Sequence, residues 1–429
     1  MNQIVLALLS MNGRITMLGM SRWTGEGGSY RTIQRWFATK IAWPQVFWQF
    51  FRHHLYKAGE SYVLFGDEVV VPKSGKSSHG IDRFYSGLFE QVIPSLSFFT
   101  LGIGSVGEKR SFPVQVEQIV RSAEEKAASK AKAQEKAAKK KPPASKGKAG
   151  RPKGSKNKGK AVVIFTPELL RIQAMVQAQL RLTNGLIALH HLIMDGHFGN
   201  NPALQMVLLC QLHLISKLRS DSALFFRKQD EYSGTGKPRK YGDKVNYRAI
   251  PDKYRKEERL DADYKTQTYQ ATLLHKEFSQ ALNVVILVKT NRKTGASAHI
   301  LLFSSDLLLA YDKIIDFYCL RFQLEFNFRD AKQFWGLDDF MNTSQTAITN
   351  AANLALFMPN FTYLLLQPFR QTSPDFSVLD LKSYHHAYKY LIEIIKFLPD
   401  FPNGISIQSI FHNIADIGSI HPIHSTPIP

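Results

Sequence analysis

DFYCLRFQLEFNFRDAKQFWGLDDF, residues 316–340, contains neither Gly nor Pro before Gly336, so nothing interrupts a helix for about twenty residues. Five residues with chemical handles lie in it: Tyr318, Arg321, Glu325, Arg329 and Lys332. At about 100° per residue they fall within one strip roughly 80° wide. Phe317, Leu320, Leu324 and Phe328 occupy the other faces and read as packing. A single carboxylate is thus flanked by cations and a phenol on a largely apolar helix. The ordinary reading of such spacing is a ladder of surface ion pairs, each worth about 0.2–0.5 kcal/mol. The alternative is a metal-ligating carboxylate set among phosphate-binding groups.

The surrounding chain bears on that choice. At 429 residues it suggests two or three units, and its 44% hydrophobic and 12% aromatic content can bury a sizeable core. The formal charge of +20 points to a polyanion, most simply nucleic acid. Part of it is local: residues 121–160 carry 15 Lys/Arg against 3 Asp/Glu. Cys210 and Cys319 match neither a disulfide framework nor zinc spacing, which suits a reducing cytosol. The start, MNQIVLALLS, makes a poor signal peptide. The most apolar segment, residues 351–366, is interrupted by Asn353, Pro359 and Asn360, so no membrane span is expected.

Residues 1–60 read as helical. Helix, Gly-rich turn (GEGG) and a basic helix, YRTIQRWF with Arg31, Gln34 and Arg35, suggest a helix-turn-helix or an ordinary helical hairpin. The aromatic segment from Trp36 to Phe51 reads as core. Residues 61–121 turn to β-structure, with Asp67 inside an otherwise apolar strand, a costly position unless paired or metal-bound. Residues 62–71, 92–104 and 112–116 suggest an antiparallel meander. PKSGKS is no phosphate loop, because Val70 stands where Gly is required, yet Lys73 and Lys76 remain candidates for the DNA backbone.

Residues 122–160 have the composition of a basic linker. Gly150-Arg151-Pro152-Lys153-Gly154 resembles an AT-hook, in which Arg151 and Lys153 would enter a narrow minor groove. Structure resumes over 161–226 with a helix (167–183) and a strand-like run ending in Asp195-Gly196. A basic insertion with strands occupies 227–300. The helix quoted above falls in 301–345, and further helices at 347–356, 363–367 and 385–397 fill 346–429 before an irregular tail. The paired histidines lack a ligand pattern.

Asp67 on a first strand, Asp195 after a later one and Glu325 on a following helix form an ordered set of acids. The order resembles the RNase H-like fold of DDE transposases. Tyr318-x2-Arg321-x3-Glu325-x6-Lys332 is similar, in spacing and identity, to the Tyr-Arg-Glu-Lys signature of one group of bacterial insertion-sequence transposases. The likeness spans about residues 20–370. It implies an α/β fold: an RNase H-like core, a mixed sheet flanked by helices, with a β-rich insertion and helical terminal regions. It also implies that Asp67, Asp195 and Glu325 bind two Mg²⁺ ions, with Mn²⁺ able to substitute. Tyr318, Arg321 and Lys332 would contact the backbone of the element's end, with Arg329 on the same strip but outside the signature. The expected partners are double-stranded DNA, both terminal repeats and target, and a second copy of the chain in the DNA complex. The expected location is the bacterial cytoplasm, at the nucleoid. A nuclease without strand transfer and a catalytically silent DNA-binding derivative are the rival readings.

Overall fold

Around the strand YVLFGDEVVVP, Tyr62–Pro72, the rest of the sheet assembles. The computed structural model describes residues 1–24, 28–139, 163–228, 240–396 and 407–415. The chain opens with α1 (Asn2–Ser10), α2 (Met17–Trp23), α3 (Tyr30–Ala38) and α4 (Trp43–Phe50), the last continuing into a π-helical turn, Phe51–Leu55. Then come β1 (Tyr62–Pro72), β2 (Asp82–Ser86), β3 (Gln91–Ser105), β4 (Arg110–Gln118), α5 (Ala123–Lys139), α6 (Pro167–Thr183), β5 (His191–Met194), α7 (Asn201–Leu209) and β6 (His213–Leu218). β7 (Leu224–Arg227), β8 (Tyr241–Lys244), β9 (Arg255–Leu260), β10 (Tyr264–His275), β11 (Ala281–Asn291) and β12 (Ser297–Ser304) follow. The remaining helices are α8 (Tyr311–Leu320), α9 (Phe322–Phe334), α10 (Gln345–Thr372), α11 (Val378–Ile395) and α12 (Ile407–Ile414).

These strands form one mixed sheet in the order β2-β3-β1-β5-β6-β12-β11-β10-β7-β8, with β4 on β3 and β9 on β10. β1 pairs antiparallel with β3 and parallel with β5, and β6 continues parallel to β5. From β12 onward the added pairings are antiparallel, so the basic insertion widens the same sheet. β1 is buried on both faces, as its nearly continuous apolar run requires. Successive side chains alternate between faces. Val63, Phe65, Val69 and Val71 pack with the N-terminal helices, α9 and α10, whereas Tyr62 and Leu64 pack with α6 and α7. Asp67 shares the parity of Val63 and Phe65 and therefore points toward α9. Gly104, on β3, is pressed against the ring of Phe65, leaving no room for a Cβ.

Local signals account for many boundaries. Thr166 accepts the Leu169 amide at the start of α6, Pro167 stands in its first turn, and Asn184 closes it in the left-handed region at φ 40°. Trp43, Phe47, Trp48 and Phe51 are buried, as the aromatic segment suggests. α3 buries Ile33 and Phe37 and exposes Arg31, Gln34 and Arg35. Part of the glycine turn before it, residues 25–27, lies outside the described residues, as does the AT-hook-like segment with Arg151 and Lys153.

Three expectations change. The helix over 316–340 is two helices, α8 and α9, meeting at Arg321, where the Leu324 amide reaches only three residues back. α9 then stops at Trp335, and Gly336 turns the chain at φ +75° against Ile15. The helices expected at 347–356 and 363–367 are one helix, α10, with Pro359 and Pro368 inside it. Pro359 cannot donate to the carbonyl four residues back, but tertiary bonds hold the helix on both sides of it. Asn353 donates to Val116 O (3.4 Å) and Asn360 to Pro113 O (2.7 Å). With Asn327, which donates to Ser111 O (2.9 Å), they supply hydrogen bonds along the outer edge of β4. Finally, β2 was not anticipated, since DRFYS is short and polar.

Among the described residues no helix is long and apolar enough to cross a membrane. Replacing Asn360 with Ala should cost about 1–3 kcal/mol by leaving the Pro113 carbonyl unpaired; the urea midpoint measures it, and an unchanged midpoint contradicts the edge-capping role.

Candidate active site

The acids of the two central strands meet because of sheet register. Gly66 stands opposite Met194 in the parallel β1–β5 pair, so Asp67 and Asp195 occupy the next level, beside one another. Asp195 leaves the strand to cap a short 3₁₀ turn, its carboxylate accepting the His197 amide at 3.1 Å. Ser216 on β6 fixes the same residue by donating to its carbonyl oxygen at 2.6 Å.

Glu325 reaches the pair through Arg321. One guanidinium nitrogen of Arg321 donates to Asp67 Oδ2, and another donates to Glu325 Oε1 at 2.9 Å. The Arg321 side chain is only 6% exposed, that of Asp67 16%, and that of Glu325 48%. Arg321 Nε is buried without a partner, an unsatisfied donor in an otherwise tightly bonded group. Burial pushes the Asp67 carboxyl up to about 6, against the opposing pull of Arg321 and the Glu68 amide, with Asp195 and Glu325 adding to the rise. Burial also raises the Tyr318 phenol, which keeps it neutral beside Arg321.

The polar strip of the helix therefore faces the sheet. Lys332 donates to Val70 O at 2.7 Å and lies 3.8 Å from Asp338. Lys73 donates to the carbonyls of Asp338 and Phe340, at 3.0 and 2.8 Å, and sits over the Phe340 ring. Burial lowers the Lys73 ammonium to about 8. Thus Arg321, Lys332 and Lys73 pin α9 and the turn after it along the second half of β1. In this arrangement they serve protein contacts rather than standing free for phosphate. Arg329 is exposed on the solvent side, and its only carboxylate neighbour is Asp330 at 3.4 Å. Neither surface ladder nor open DNA-gripping strip describes the geometry; it is a docking seam with the Glu325 and Asp338 carboxylates exposed along it.

A groove of about 860 Å³ opens beside Asp195. Tyr318, Arg321 and Phe322 form one wall, and Lys217, Arg219 and His299 the other. Sequence reasoning missed the second wall. The available signal was the alternation of HLISKL on β6, whose Lys217 faces outward between the buried Ser216 and Leu218. Glu68, adjacent to Asp67, points to the opposite face, where Ser97 donates to it; it is not part of this constellation.

Oxygen donors of this kind suit a hard divalent cation. Among the described residues, however, no three His, Cys, Asp or Glu side chains converge closely enough to hold a metal. Arg321 stands between Asp67 and Glu325 instead. Changing Arg321 to Gln should destabilise the fold by about 3 kcal/mol, because a buried carboxylate loses its partner; urea unfolding showing less than about 1 kcal/mol would place the pair among surface contacts.

A family model for the DDE superfamily endonuclease matches residues 1–280, a span containing Asp67 and Asp195 and ending before Glu325. No curated protein matches the chain.

Proposed function

The chain belongs to the DDE superfamily endonuclease family, and from that premise we propose that it is a DNA transposase of the insertion-sequence type. Its reaction would be hydrolysis at the ends of a mobile element, followed by attack of the released 3′-OH on the opposite strand or on target DNA. The observation that carries this reading is the placement of Asp67 and Asp195 on neighbouring parallel strands, with Glu325 joined to Asp67 through Arg321. The mixed pairing of β1, antiparallel to β3 and parallel to β5, supports the RNase H-like assignment.

Asp67, Asp195 and Glu325 are the residues that would hold divalent cations, whose chemistry would be to activate a water and stabilise a leaving oxygen; for that, Arg321 would have to give up its bonds to Asp67 and Glu325. The groove walls give a DNA strand a route to them. Lys217 and Arg219 face the groove as phosphate contacts, and Tyr318 and Phe322 offer aromatic surface opposite. Tyr318, neutral and half-buried, acts as a hydrogen-bonding and packing group and forms no covalent link to DNA. The DNA complex would contain two copies of the chain, as joining two ends requires.

The domain assignment follows from the same reading: 1–60 as a helical DNA-binding region, 61–121 and 161–226 as two parts of the core, 227–300 as the insertion, 301–345 as the catalytic helix region, and 346–429 as a helical terminal region. The basic residues 122–160, with Arg151 and Lys153, would add nonspecific DNA affinity.

Incubation with labelled terminal-repeat DNA and Mg²⁺ or Mn²⁺ tests the proposal. Wild-type protein should release a 3′-OH end, and Glu325→Gln should lower the rate roughly 100-fold or more. Equal cleavage by both proteins, or a phosphotyrosyl adduct, overturns it. The Asp67 carboxyl, at about 6, must be ionised to act as a ligand, so kcat/KM should fall as pH drops through about 6. A profile flat from pH 5 to 7.5 contradicts the role of Asp67.

A further inference from the structure

On the other side of α9 from the docking seam lies a second cavity, of about 400 Å³, walled by β4, α9, α10 and the first turn of α11. Three arginines line it, Arg110 from β4, Arg329 from α9 and Arg370 from α10, against one carboxylate, Asp330. Arg110 lies over the ring of Tyr363, 4.5 Å from its centroid, and forms no ion pair among the described residues. Its nearby acid, Glu108, is already taken by Lys57 and by the Tyr363 hydroxyl. Arg370 is held by one bond, Nε donating to Phe376 O at 2.9 Å, which leaves its terminal nitrogens for other partners. Burial lowers the Arg110 pKa, and the neighbouring Arg370 lowers it further.

Three guanidinium groups gathered without matching acids repel one another, and an apolar pocket alone would not select them. Their planar forks suit the oxygens of a phosphodiester. Arg329 lies one helical turn from Glu325, is exposed, and lines the cavity.

We propose that Arg110, Arg329 and Arg370 form a second DNA-backbone site, which takes a phosphodiester of the duplex on the side of α9 away from the docking seam. The site extends the proposed transposase reading, because it would hold flanking DNA while the scissile phosphate sits at the acids. Its binding needs neither metal nor cleavage.

The test uses the full chain in EDTA with a fluorescein-labelled 30-base-pair duplex, followed by anisotropy over a series of NaCl concentrations. Arg329→Gln and Arg370→Gln should each weaken binding several-fold and flatten the plot of log Kd against log[salt] by about one unit. Asp330→Asn, which removes the pocket's only carboxylate, should tighten binding. Lys293→Gln, the same charge change on the β11–β12 hairpin, serves as the control. Pocket variants that bind as wild type does, or that change no more than Lys293→Gln, overturn the second site while leaving the proposed function standing. A wild-type chain that shows no salt-dependent DNA binding overturns both. Because Arg329 is exposed and, among the described residues, meets only its helix neighbours Asp330 and Phe326, its variant can be read without loss of the fold.

Discussion

A buried guanidinium between two carboxylates couples helix to sheet in this molecule. Arg321 holds Asp67 on the central strand and Glu325 on α9, and so sets the height and rotation of that helix over β1. Such a bridge adds little net stability compared with a well-packed apolar contact, but breaking it leaves an uncompensated charge. Its value lies in specificity: only one registry of α9 satisfies Asp67, Val70 O and the carbonyls of Asp338 and Phe340 at once. A cation entering among the acids must compete with Arg321 for the same oxygens, so charge balance and helix position are linked.

The contrast between Asp67 and Glu68 shows how much a two-residue alternation decides. Both are acids on one strand, and burial raises both. Asp67 faces α9 and Arg321; Glu68 faces the layer of α6 and α7 and accepts from Ser97. The same alternation brings Asp195 onto the Asp67 side, beyond Ile193 on its strand. A one-residue slip in the short β1–β5 pairing would separate the two acids.

Much of this is legible in the sequence. Asp67 stands out because an acid in a run of Val, Leu and Phe needs a reason, and Asp195 because a strand-like run ends on it before Gly196. The 3.6-residue spacing puts Tyr318, Arg321, Glu325, Arg329 and Lys332 in one strip; Arg321 and Lys332 do meet the sheet, whereas Arg329 turns to solvent beside Asp330. What spacing could not tell is what that side meets: Lys332 bonds to a strand carbonyl 262 residues away, a tertiary fact with no local trace. The continuity of α10 was illegible for the same reason. Its prolines argue locally for a break, while the asparagines that hold it in place act only through β4. The arginines of the second cavity come from three distant segments, and no stretch of the chain announces them.

Those asparagines have one more effect. By giving the carbonyls of Ser111, Pro113 and Val116 internal donors, α9 and α10 seal β4 against pairing with any further strand. The long additions lie at the other end of the sheet, past β6, where β12, β11, β10, β7 and β8 are added. A fold sealed at one margin and extensible at the other can accept long insertions without disturbing the acids at its centre. It also avoids offering the β4 edge to a neighbouring molecule as a template for fibrils.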